Sequence, residues 1–346
     1  MQIQRSFSYL RMKEKIDAFI REFETSAPTI EVQTSGSTGV PKRISVEKER
    51  MKQSAQRTLD ALGLRFGATA VICLPIEYIA GKMMVVRALV GAMRVIAVTP
   101  TSNPLLPLNT AELDKQCLLA ITPYQLAEIL NNPSSLETLK RVSHVIIGGG
   151  AIPAEVEELV SHFPDSTAIY ATYGMTETLS HIALRRVNGT EREETFLPLP
   201  GVTIQQDEEG CLKIKDIVTS PEILQTNDIV ELTNGRFRIL GRRDNIISSG
   251  GIKLQLEMIE QQLSEVISDE FMLTYVHDSR LGQALTMLYT GELSGEEVHQ
   301  RCANRVGNYE VPKYFFRTKE LPKTETGKLA RAQAHDLAET LKMGAE

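Results

Sequence analysis

The stretch HVIIGGGAIPAEVEELVSHF, residues 144–163, changes its hydrophobic period part-way along. HVII is a short apolar run of the kind that forms a buried strand. Three glycines follow. Then Pro153 opens a helical pattern, as proline does at a first helical position. TAIYATY (167–173) reads as another buried strand. Strand, helix and strand in this order imply parallel strands joined by a crossover.

The same alternation extends on both sides. AVICL (70–74), MRVIAV (93–98) and LLAIT (118–122) read as further buried strands. Between residues 47 and 62, Met51, Ala55, Leu59 and Leu62 share one helical face, with Ser45 as a candidate cap. Thr122-Pro123 supplies cap and first residue for another helix. The pattern predicts an α/β large domain with a doubly wound, mainly parallel sheet covered on both faces. Ligands of such sheets bind beyond the carboxyl ends of the strands.

After about residue 196 the period shortens. VTIQQD, CLKIKD, DIVELT and RFRIL alternate and are separated by Glu-Gly and Asn-Gly turns, which predicts an antiparallel β subdomain over about 196–243. From about 245 an α+β pattern begins: a helix over 255–267, strands near 271–277 and 284–290, a helix over 295–306 and a last helix near 328–342. The expected division is a large domain over 1–243 and a small, mobile C-terminal domain over 244–346, with the boundary in GRRDN (241–245).

The chain has 346 residues, enough for two domains. A net charge of −6 argues against nucleic acid as the main partner. Cys73, Cys117, Cys211 and Cys302 are scattered without a CxxC pair, which speaks against a zinc ribbon or a disulfide framework. The N-terminal MQIQRSFSYLRMKEKIDAFIREF carries charge throughout and has no apolar signal core. No run reaches the roughly 20 apolar residues of a membrane span. These features predict a cytoplasmic protein, and a homo-oligomer is left open.

Candidate sites fall just after strands. TSGSTG (34–39) with Lys42 combines hydroxyls, glycines and a cation, a cradle for phosphate oxygens or a plain turn. It lacks the GxxxxGK[ST] spacing of the P-loop. GGGAIP (148–153) allows close approach to a flat ring or a phosphate. In ATYGMTET (171–178), Tyr173 offers a ring for stacking, Thr176 a donor and Glu177 a magnesium ligand. Asp228 in TND suits ribose hydroxyls. Arg242 and Arg243 suit phosphate or ribose, or form a solvated pair. Lys328 lies beside a glycine turn in LPKTETGKLAR (321–331).

Taken in order, TSGSTG–PK, GGGxxP, YGMTET, the Asp of TND, GRRDNIISSGG and PKTETGK resemble the adenylate-forming ligases, the superfamily of acyl-CoA synthetases, luciferases and adenylation domains. The resemblance covers roughly residues 30–335. It implies ATP, Mg²⁺ and coenzyme A as partners of a small carboxylic acid. Thr34, Ser35, Gly36, Ser37, Thr38, Gly39 and Lys42 would handle the triphosphate. Gly149, Gly150, Ala151, Tyr173 and Gly174 would line the adenine pocket. Thr176 would contact phosphate and Glu177 the metal, Asp228 and Arg242 would hold the ribose, Asp244 would be the hinge, and Lys328 would bridge carboxylate and α-phosphate. Ser37 stands where threonine is commoner, and Asn227 where the family has glycine. The phosphate loop begins at residue 34, whereas the family has well over a hundred residues before it.

Within the superfamily, LPIEYIAGKMMVVRALVGA (74–92) resembles a segment of the o-succinylbenzoate–CoA ligases of menaquinone biosynthesis. That implies a substrate pocket involving Tyr78, Arg87 and Gly148, although many relatives have histidine where Tyr78 stands. Arg87 interrupts an apolar helix. It either runs its stem along the core with its head in water or receives a second substrate carboxylate. Other expectations are another aryl- or acyl-CoA ligase, or a degenerate, non-catalytic acyl- or nucleotide-binding module.

Overall fold

The computed structural model describes residues 2–33, 43–216, 218, 220–323 and 329–345. Thr34 to Gly39, Lys42 and Lys328 lie outside the described residues.

The first part of the chain contains α1 (Gln2–Phe23), β1 (Thr29–Gln33), β2 (Arg43–Glu47), α2 (Lys48–Ala61), β3 (Thr69–Ile72), α3 (Ile79–Val90) and β4 (Arg94–Ala97). It continues with β5 (Cys117–Ile121), α4 (Pro123–Leu130), α5 (Pro133–Leu139), β6 (His144–Ile147), α6 (Ala154–Ser161), β7 (Ala168–Gly174), β8 (His181–Arg186) and β9 (Leu197–Pro198). The seven-stranded sheet runs β4-β3-β5-β6-β7-β8-β9. From β4 to β7 the neighbours are parallel, and β7–β8 and β8–β9 are antiparallel.

Alternation along the strands explains the two faces. Ala70, Ile72, Leu118, Ala120 and Ile146 pack with Phe19 of α1, Met51 and Leu59 of α2, and Met83 and Val86 of α3. Their neighbours Val71, Leu119, Ile121, Val145 and Ile147 pack with Leu126 and Ile129 of α4, Leu139 of α5 and Val156 and Val160 of α6. Successive side chains leave opposite faces of a strand, so a strand covered on both faces must be apolar at every position. The expected doubly wound sheet is therefore present.

Local chemistry fixes the helix starts. Thr122 caps α4, accepting from the Gln125 N–H at 3.2 Å, while Gln125 Oε1 accepts from the Thr122 N–H at 3.0 Å. Such caps contribute about 1 kcal/mol. The expected Ser45 cap is not observed. Glu47 is the N-cap of α2, without a side-chain cap bond. Ser45 is instead inside β2, opposite Glu31 of β1, because the hairpin ladder takes residues 43–47.

The later strands β10 (Val202–Gln206), β11 (Cys211–Asp216), β12 (Ser220–Thr233) and β13 (Arg236–Arg242) neighbour one another in chain order. After them come β14 (Ile246–Ser249), β15 (Ile252–Gln255), α7 (Leu256–Leu263), β16 (Phe271–Asp278), β17 (Gly282–Tyr289), α8 (Gly295–Ala303), β18 (Tyr314–Arg317) and α9 (Arg331–Ala345). β17 pairs antiparallel with β14 and β16 and parallel with β18. One set of this sheet's side chains, with Leu273, Leu285 and Met287, packs on Ile259 and Leu263 of α7 and Val298 and Cys302 of α8. Met272, Val276, Ala284 and Leu288 pack on Ala334 and Ala338 of α9.

The chain forms two compact units. The first comprises Met1–Ile204, Ile214–Leu224 and Thr233–Phe237, and the second Gln205–Lys213, Gln225–Leu232 and Arg238–Glu346. Gln205–Lys213 and Gln225–Leu232, both before residue 243, thus belong to the second unit.

Candidate active site

In the first unit, each parallel strand delivers its next loop to the carboxyl edge of the sheet. Gly148, Gly149, Gly150 and Ala151 follow β6, and the Gly148 N–H donates to the Ile121 carbonyl at 3.0 Å. Gly149, Gly150 and Ala151 are exposed. Tyr173, near the end of β7, is 7% exposed, its ring edge-on to Phe237 at 5.1 Å between centroids. Gly174, next to it, is exposed. A Cβ on Gly174 would lie 2.4 Å from the Ser180 carbonyl oxygen, so glycine is required where the chain doubles back toward β8.

Thr176, Glu177 and Thr178 form a single 3₁₀ turn after β7. The Thr178 hydroxyl fastens it, accepting from the Met175 N–H at 2.9 Å and lying 2.7 Å from the Ser180 carbonyl to which it donates. Thr176 is buried and Glu177 exposed. Among the described residues the Glu177 carboxylate makes no ion pair, which leaves its oxygens available to a cation. Leu179 closes the turn at φ +60°, an uncommon backbone for a residue with a branched side chain.

The turn leads directly to Arg87. This residue lies on α3, after the LPIEY segment that follows β3. Tyr78 is the N-cap of α3 and is half-buried. A Cβ on Gly81 would lie 2.2 Å from the Pro75 carbonyl oxygen, so only glycine lets α3 start against that segment. Arg87 is 2% exposed. Its head is not in water, and the solvated alternative is thereby excluded. One terminal nitrogen donates to the Ser180 hydroxyl, and Nε is buried without a hydrogen-bond partner among the described residues. Among the described residues no carboxylate pairs with it. Burial pushes the guanidinium down to about 10, which leaves it charged at neutral pH.

A second buried arginine lies nearby in the same unit. Arg57 of α2 is paired bidentately with Asp216, at 2.9 and 2.8 Å. His181 lies between these cations electrostatically. Its Nε2 is 3.1 Å from the Thr58 hydroxyl. Burial first, then the charges of Arg87 and Arg57, hold its pKa well below the usual histidine range, so the ring is neutral.

In the second unit, Asp228, Arg242 and Asp244 are brought together. One Arg242 nitrogen donates to Asp228 at 3.0 Å and the other to Asp244 at 2.7 Å. Asn227 donates to Asp244 at 2.8 Å and accepts from Arg243 at 2.6 Å. Arg243 also donates to Glu209, so Arg242 and Arg243 are each held by acids and are not an idle pair.

Sequence reasoning missed Ser180, His181 and the Arg57–Asp216 pair. Ser180 and His181 follow the TET turn after Leu179, and two polar residues where that motif meets the apolar strand β8 are the available signal. Nothing local links Arg57 to Asp216, 159 residues apart.

The AMP-binding enzyme family matches residues 30–214. A 2-succinylbenzoate–CoA ligase of Bacillus cereus strain Q1 is 26% identical, across 97% of this chain and 76% of that protein. An acyl-CoA synthetase (AMP-forming)/AMP-acid ligase II-like protein from Dyadobacter fermentans is 35% identical, across 92% of this chain and 93% of that one, with a TM-score of 0.63. The o-succinylbenzoate coenzyme A synthetase of Bacillus subtilis, solved in complex with ATP and magnesium ion, shares the fold at a TM-score of 0.71, with 22% identity across 88% of this chain and 69% of that chain. The matched residues span the parallel sheet and the loops that carry the candidate residues of the first unit, and this chain belongs to the AMP-binding enzyme family.

Proposed function

We propose that the protein is an ATP-dependent acid–CoA ligase that converts o-succinylbenzoate to its CoA thioester through an acyl-adenylate, in the cytoplasm where ATP and CoA are supplied. The observation that carries the choice of acid is Arg87, a buried cation with a neutral partner and no acid among the described residues. An isolated buried charge is costly unless an anion joins it. The distal carboxylate of a diacid is such an anion, and a guanidinium binds it in two parallel hydrogen bonds. The names of the relatives, 2-succinylbenzoate–CoA ligases, support the same acid.

The chemistry starts with a poor electrophile. A carboxylate oxygen attacks the α-phosphorus of ATP, the bond to the β-phosphate oxygen breaks, and pyrophosphate leaves. The thiolate of CoA then attacks the activated carbonyl carbon and AMP leaves. In this reading Thr34 to Gly39 and Lys42 bind the triphosphate, and Gly149, Gly150, Ala151, Tyr173 and Gly174 bind the adenine. Asp228 and Arg242 bind the ribose, Thr176 donates to phosphate, and Lys328 offsets the repulsion between the two approaching anions. Tyr78 and Gly148 complete the acid pocket. The exposed carboxylate of Glu177 fits Mg²⁺, which takes one or two carboxylates beside substrate phosphates and neutralises their charge when bound. Asp244 is the hinge about which the small domain turns between the two steps.

Pyrophosphate release with a panel of acids tests this reading. O-succinylbenzoate should be turned over well ahead of benzoate and fatty acids. Turnover of simple monocarboxylates with o-succinylbenzoate ignored would overturn the acid assigned, and no pyrophosphate release from any acid would overturn the enzymatic reading. Within the assay, Lys328→Ala should slow adenylation by about 3–4 kcal/mol in the barrier. Thioester formation from supplied acyl-adenylate should be largely kept.

A further inference from the structure

The second unit carries a ligand set that the ligase reaction does not use. Among the described residues, His277, His335 and Glu339 place one donor atom each within 4.8 Å of one another. His335 and Glu339 are four apart on α9 and so share one face of the helix. His277 comes from β16, the strand on which α9 packs.

Two of the three side chains are already held. The Tyr275 carbonyl lies 2.9 Å from His335 Nδ1. A carbonyl can only accept, so Nδ1 carries the proton and the neutral ring keeps its lone pair on Nε2. This is the outer-shell bond that fixes tautomer and orientation in metal-bound histidines. The Tyr275 ring also stacks on His335 at 4.3 Å. Glu339 accepts from the His277 N–H at 2.7 Å and retains a second carboxylate oxygen. Lys342, the neighbouring cation on α9, is engaged by the His277 carbonyl at 2.6 Å and by the Tyr314 ring. The exposed His277 ring, edge-on to Tyr275 and His335, completes the set.

We propose that His277, His335 and Glu339 bind one divalent transition-metal ion of the zinc class, tying α9 to β16 and leaving a fourth position for water. Two imidazoles and one carboxylate suit Zn²⁺, which takes such ligands at about 2.0–2.2 Å in a tetrahedron. Hard ions prefer all-oxygen sets, so Mg²⁺ should not compete. The site is separate from the magnesium that accompanies ATP.

The test uses the full chain after chelator treatment. Zn²⁺ is titrated calorimetrically in excess Mg²⁺, with the wild type, His277→Ala, His335→Ala and the double variant. The wild type should bind a single tight zinc, gain several degrees in Tm, and lose affinity by about tenfold or more in each single variant. Absence of a tight zinc in the wild type, or undiminished binding by the double variant, would overturn the proposal. Should a variant fail to fold, Co²⁺ spectra of the wild type decide. Strong visible absorption from a tetrahedral ion supports the site, and the weak absorption of an octahedral one overturns it.

Discussion

Two buried arginines on neighbouring helices of the first unit meet opposite circumstances. Arg57 of α2 forms a fork with Asp216, both oxygens engaged at 2.8–2.9 Å. Arg87 of α3 is buried more deeply, yet its partner is a serine hydroxyl, and the Nε of both arginines is without a hydrogen-bond partner among the described residues. The first cation has its acid in the free protein. Under the proposed function the second is completed by a substrate carboxylate, and the cost of its burial would be recovered on binding.

The difference can be broken from either side. The largest effect should come from Asp216→Ala, which leaves Arg57 buried and unpaired. Urea unfolding should show a loss of about 3–5 kcal/mol, with KM for the acid unchanged in whatever protein remains folded. An unchanged unfolding midpoint would show that the pair is not structural.

Arg57→Leu and Arg87→Leu should then differ in sign. The former strands the Asp216 carboxylate and destabilises. The latter removes a buried charge that has no acid partner among the described residues, so its Tm should hold or rise, as replacement of buried ionic groups by apolar ones often does. Equal destabilisation by both would make the two sites equivalent and end the comparison.

Ser180→Ala should have a smaller effect. It removes the hydroxyl that orients Arg87, and one hydrogen bond contributes about 1 kcal/mol, or roughly fivefold in KM for the acid. KM for ATP should stay put. An equal rise in both would place Ser180 in the general architecture of the turn.

The smallest effect concerns His181. Its folded pKa is depressed below the ordinary value of 6.5 by burial and by the two arginines. The unfolded chain therefore binds the extra proton first on acidification. The stability linked to His181 is complete above the ordinary histidine value and is lost as pH falls from there toward the folded value. His181→Gln should flatten that part of the stability–pH curve, measured by urea unfolding between about pH 7.5 and pH 5. An unchanged slope would mean that folding does not shift the titration of the ring.

Much of this was legible in the chain. The buried strands announce themselves because a parallel sheet covered on both faces admits apolar residues only, so HVII became β6 without a shift of boundary. Thr122-Pro123 marked α4 because capping is local chemistry. The long α1 was overlooked when the N-terminal segment was read for a signal core. Its buried stripe, Met12, Ile16, Phe19 and Phe23, has helical spacing and was available. The β1–β2 hairpin joins segments on either side of TSGSTG–VPK, where the glycine- and hydroxyl-rich stretch is the stronger local signal. Arg87 was visible as a charge in an apolar helix, but whether its head reached water was a tertiary question. Asp216 and Ser180 come from distant segments, and only the fold shows that, among the described residues, one arginine has an acid and the other a hydroxyl.

The most direct test of that asymmetry compares two acids across one substitution. KM is measured for o-succinylbenzoate and for its analogue lacking the distal carboxylate, in the wild type and in Arg87→Leu. The account predicts that the substitution raises KM for the diacid by roughly tenfold to a hundredfold, since hydrogen bonds to charged groups contribute about 1.5–3 kcal/mol. The analogue and ATP should be nearly unaffected and Tm should not fall. An equal loss on both acids, accompanied by a lower Tm, would contradict it and make Arg87 a structural residue like Arg57.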